Sequence, residues 1–103
     1  MSDVGGSIDV NNITIALDDE AANGHLPDSG PLVGGAFQPT NEEGGDTFDF
    51  PAPNPASANS ALSGFDGLLT KGGWKLFVDD NGNGDVGRFG GGWTIKIKAA
   101  VPQ

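Results

Sequence analysis

Cysteine is absent from this 103-residue chain, which excludes disulfides, thiol nucleophiles and thiolate zinc sites and leaves either redox compartment open. Histidine occurs once, at His25, too few imidazoles to build a zinc centre. Positive charge is scarce as well. Only Lys71, Lys75, Arg88, Lys96 and Lys98 face fourteen Asp and Glu, and the net charge of −9 repels nucleic acid and anionic lipid. Cations, sugars and other proteins remain as partners. No apolar run approaches the roughly 20 residues that cross a bilayer. The opening MSDVGGSIDV lacks the basic-then-apolar order of a signal peptide, so the chain reads as soluble and without an export signal. Helical periodicity of ordinary length is missing throughout.

What the chain has in quantity is glycine and proline, eighteen and seven residues, which predict many turns joining short strands. Its apolar segments are β-branched and aromatic, unlike those of disordered chains. Ile13, Ile15 and Leu17 alternate with Asn12, Thr14 and Ala16, the period of a half-buried strand. The stretch 18–35 carries Asn-Gly, Pro-Asp-Ser-Gly and Gly-Gly turn signals and room for one helical turn. Ala36 to Pro39 reads as a short edge strand, since its proline removes a ladder donor. From Thr40 to Asn59 an acidic, Gly-containing run gives way to PAPNPASAN, an extended surface loop expected to be pinned by Phe48 and Phe50. Leu62, Phe65, Leu68 and Leu69 then supply a turn-rich cover for an open end of the core.

The segment GGWKLFVDDNGNGDVGRFGGGWTIKIK, residues 72–98, repeats a Gly-Gly-Trp-x-aliphatic pattern around an acidic centre. Alternation places Trp74, Leu76 and Val78 on one face of a strand and Trp93, Ile95 and Ile97 on one face of the next. These six form the predicted core, with Lys96 and Lys98 on the solvated side and Phe77 beneath a covering loop. Two readings of the centre stand side by side. Asp79, Asp80, Asn81, Asn83 and Asp85 offer calcium the alternating oxygens of the first half of an EF-hand loop. The bidentate Glu of that loop is missing, since position 90 is Gly, and no helical pattern flanks it. The same residues also make an Asn-Gly-rich connection that tolerates positive φ with no ion. The acidic run Asp18-Asp19-Glu20 completes a metal site if the fold brings it near, and is otherwise a solvated loop.

An enzymatic reading centres on His25, Asp28 and Ser29, the residue types of an acyl-transfer triad. They crowd within five positions on one Pro- and Gly-rich loop, and no Gly-x-Ser-x-Gly elbow exists. The alternative is an exposed turn histidine.

Residues 72–98 resemble the C-terminal signature of the P domain, also called P/Homo B, of kexin- and furin-like subtilases. Gly73, Trp74, Leu76, Val78, Asp80, Asp85, Gly87, Trp93 and Ile95 match that pattern residue by residue. The resemblance continues more weakly through Leu17 to Ala21, Gly35 to Pro39 and Leu62 to Gly67. It implies an all-β, antiparallel, jelly-roll-like β-sandwich spanning 1–103 as a single module, partial because the family's N-terminal strands have no counterpart. It also implies a non-catalytic role bracing or presenting a neighbouring extracellular or cell-surface domain, and calcium in some members. The rival functions are a calcium-dependent adhesion or carbohydrate-binding module and a weak hydrolase using His25 and Ser29. A sandwich lacking strands leaves apolar stripes and sheet edges open, so a homodimer is expected.

Overall fold

The computed structural model describes residues 3–53, 59–79, 84 and 86–99. The chain separates into two compact units, Met1–Asp66 and Gly67–Gln103. Among the described residues regular structure is sparse and mostly non-helical: strand β1 (Ile15–Leu17), strand β2 (Gly35–Phe37) and one 3-10 turn (Leu62–Phe65).

In the first unit, β1 grows from the β-branched run Ile13-Thr14-Ile15, which suits extended backbone. It pairs in parallel with β2, Ile15 opposite Gly35 and Leu17 opposite Phe37. Antiparallel pairing, expected from the family resemblance, is not how these strands meet. The connection 18–34 is long enough to cross over and re-enter β2 in the same direction as β1, which a two-residue hairpin turn cannot do. The crossover opens with successive turns, Ala21 N–H donating to Asp18 C=O at 3.0 Å and Gly24 N–H to Ala21 C=O at 3.1 Å. Gly35 enters β2 at φ +138°, and a Cβ there would lie 3.5 Å from the Phe37 ring and 3.7 Å from the Asn23 amide nitrogen. Glycine alone adopts that angle comfortably.

The two edges of this small sheet are treated differently. Beyond β2 lies the segment after the Asn23-Gly24 turn: Gln38 N–H donates to Gly24 C=O at 2.8 Å, and His25 forms a parallel bridge with Gln38. Asn23 Nδ2 donates to Ala36 C=O at 2.9 Å, closing the outward-facing carbonyl of β2. On β1, Thr14 C=O accepts from Gly35 N–H and Asp18 N–H donates to Phe37 C=O, so even-numbered residues face β2. Alternation turns the backbone groups of Ile15 and Leu17 the other way, where they meet no hydrogen-bond partner among the described residues.

The core is small and lies under β2. Ala21, Leu26 and Phe37 are buried, with Thr40 as the buried polar group. Gly5 N–H donates to Pro27 C=O at 2.7 Å, tying the N-terminal segment to the loop that follows Leu26. At the far end of the unit, Asp19 holds the 3-10 turn, its two carboxylate oxygens accepting from Leu62 N–H and Ser63 N–H, each at 2.7 Å.

The second unit has no strand among its described residues. Trp74 Nε1 donates to Thr70 C=O at 3.2 Å, and Phe89 to Gly92 close a turn through Gly92 N–H. The six-residue core expected here is corrected. Leu76, Val78, Trp93, Ile95 and Ile97 are between 44% and 63% exposed, and Trp74 is half-buried. Period-2 alternation tells which side chains share a face but not whether anything covers that face. Phe77, on the opposite side, is half-buried, less exposed than Leu76 and Val78. Two further expectations change in the first unit. Phe50 is 95% exposed, leaving Phe48 as the half-buried aromatic of its loop, and Leu62 and Phe65 are exposed.

Candidate functional site

Of the five calcium candidates, Asp80, Asn81, Asn83 and Asp85 lie outside the described residues; Asp79 is exposed. Among the described residues, no three His, Asp or Glu side chains gather as a metal cluster.

The run Asp18-Asp19-Glu20 has local partners. Asp18 follows β1 and its Oδ1 accepts from Glu20 N–H at 3.0 Å. That backbone bond, aided by a side-chain hydrogen bond with Glu20, holds the Asp18 carboxyl below its ordinary range. Glu20 is displaced upward, chiefly by the same side-chain hydrogen bond and then by the negative charge of Asp18. Asp19 is already engaged by the 3-10 turn.

His25, Asp28 and Ser29 are all exposed, and no hydrogen bond joins them among the described residues. His25 is placed by its bridge to Gln38, whereas Ser29 lies in a bend whose carbonyl packs against Gly6. A side chain at position 6 would displace that carbonyl.

Sequence reasoning missed the polar groups that organise this region. Thr40 Oγ1 accepts from Leu26 N–H at 2.9 Å and donates to Gln38 C=O at 2.8 Å. Gln38 Nε2 reaches Ala21 C=O at 3.4 Å. All buried side-chain nitrogens and oxygens among the described residues have partners. The Pro39-Thr40 step, which ends the short strand, was the one available signal. No family model, curated protein or solved structure matches this chain.

Proposed function

We propose that this chain is a non-catalytic accessory β-module, related to the P domain and of jelly-roll-like sandwich architecture, that braces or presents a neighbouring domain of a secreted or surface protein. The observation that carries the reading is the spacing of Gly73, Trp74, Leu76, Val78, Gly87, Trp93 and Ile95. Large apolar side chains at alternate positions of two extended segments are what a strand pair offers to a covering layer, and Trp93, Ile95 and Ile97 are about half exposed. A bracing module needs such a face, and it needs no nucleophile. This functional reading rests on family analogy.

Solution NMR of the full chain tests it. Cross-strand contacts between residues 74–78 and 93–97 in antiparallel register are expected; parallel or absent pairing overturns the module. A kexin-type protease whose own P domain is replaced by this chain is expected to keep a longer thermal half-life than the bare catalytic domain.

A further inference from the structure

Charge in this protein is divided between its two units. Met1–Asp66 carries eleven Asp and Glu and no Lys or Arg, while Gly67–Gln103 carries all five Lys and Arg with three Asp, nets of −11 and +2 within the total of −9. Each unit also has one half of a β-pairing interface. On the acidic unit it is the outer edge of β1, where the N–H and C=O of Ile15 and Leu17 are unpaired among the described residues. On the cationic unit it is the stretch 93–98, whose Trp93, Ile95 and Ile97 alternate in sequence with Thr94, Lys96 and Lys98, all exposed.

We infer that copies of this chain join head to tail, residues 93–98 of one copy adding as a strand to the outer edge of β1 in the next. Strand addition satisfies the free backbone groups of β1. The alternation of 93–98 sets its apolar side chains on the face of Ile13 and Leu17, which are themselves more than a third exposed, and its lysines on the other. Beyond Leu17 the acceptor strand runs into Asp18 and Glu20, exposed carboxylates within reach of Lys96 or Lys98 of the incoming strand. A second copy is the occupant the charges favour. Two copies meeting acidic unit to acidic unit repel, whereas acidic unit to cationic unit attracts, so the division of charge selects a contact between unlike units of two copies. The inference rests on reading 93–98 as a strand of the proposed module; the NMR contacts between 74–78 and 93–97 test that reading within one chain, whatever the oligomeric state.

Sedimentation velocity of the full chain across a dilution series tests the inference with two kinds of variant. Lys96→Glu/Lys98→Glu disables the donor strand, and Leu17→Pro removes the outward N–H of the acceptor edge. Glu20→Lys serves as a second acceptor variant that leaves the backbone intact, and amide spectra confirm that each variant folds as the parent does. The parent is expected to grow beyond a dimer with concentration. Each variant alone is expected to lose roughly tenfold or more in self-affinity. An equimolar mixture of a donor variant with an acceptor variant retains one good donor and one good edge, and is expected to form a dimer that grows no further. A parent that stays monomeric throughout, variants that associate as the parent does, or a mixture that stays monomeric overturns the inference.

Discussion

The Thr40 hydroxyl receives the Leu26 amide proton at 2.9 Å and passes its own to the Gln38 carbonyl, so a buried side chain bridges two backbone segments that the turn at Asn23-Gly24 brings together. Leu26 is 1% exposed, and water cannot replace that acceptor. Thr40→Val keeps the shape and strands the amide, which costs about 1–3 kcal/mol. In a chain of this size each kcal/mol lowers the melting temperature by about 4–8 °C. Thr40→Ser, which retains the hydroxyl, is expected to lose much less. Thermal melts of the two variants beside the parent check this.

Asp19 orders the 3-10 turn from 43 residues away. Asp19→Ala removes two charge-assisted hydrogen bonds at the surface and is expected to cost about 1 kcal/mol. Amide exchange locates the effect: Leu62 and Ser63 lose protection while Leu26 keeps its own. Equal loss at all three would mean that the turn is not a separate opening unit.

Glu20 and Asp18 give the first unit an acid response of known sign. Glu20 holds its proton more tightly when folded, so its contribution to stability is full below its unfolded value and is lost as pH rises through the raised folded one. Asp18 runs the opposite way, its contribution present above its unfolded value and lost as pH falls through the lowered one. Glu20→Gln keeps a hydrogen-bond donor for Asp18 and removes the like charge. The variant is expected to melt above the parent at neutral pH, with the gap closing in acid as the parent Glu20 takes up its proton. A gap independent of pH contradicts the pairing.

Calcium is expected to leave the melt of a chelator-treated sample unchanged, because an Asn-Gly-rich sequence such as 79–85 tolerates the positive φ of a turn with no ion. A rise in melting temperature with calcium that vanishes in Asp80→Ala and Asp85→Ala would establish the metal reading, since a ligand stabilises only by binding the folded state.

The strands of the first unit were legible because their local chemistry is one-sided. Ile13-Thr14-Ile15 favours extended backbone, Gly34-Gly35 signals the turn before the next segment, and Pro39 ends that segment; β1 and β2 fall within a residue or two of those marks. Their parallel sense was not legible, because it depends on where the crossover 18–34 lands, and no local pattern encodes that. The exposure of Trp93, Ile95 and Ile97 escaped for a related reason: alternation specifies a face but not whether anything covers it. Thr40 and Asp19 act across 14 and 43 residues, and neither type announces such a reach. As for the candidate sites, His25 and Ser29 were read as neighbours in sequence, but their loop gives them separate backbone anchors.

The amide of Asn23 that closes the β2 edge also bears on how this protein ages. An Asn-Gly step is the fastest of all to deamidate, through attack of the glycine nitrogen on the asparagine side-chain carbonyl carbon with loss of ammonia. Here both ends of that reaction are tied down, Gly24 N–H to Ala21 C=O and Asn23 Nδ2 to Ala36 C=O. The fold therefore shelters the bond that would undo it. Once a molecule opens, the succinimide so formed is hydrolysed by water, and the new carboxylate has no proton to give the Ala36 carbonyl, so the edge that the amide had covered stays open. Deamidation during such an excursion is permanent, and in old preparations the molecules that carry aspartate or isoaspartate at position 23 are expected to have lost the bond that covers the β2 carbonyl.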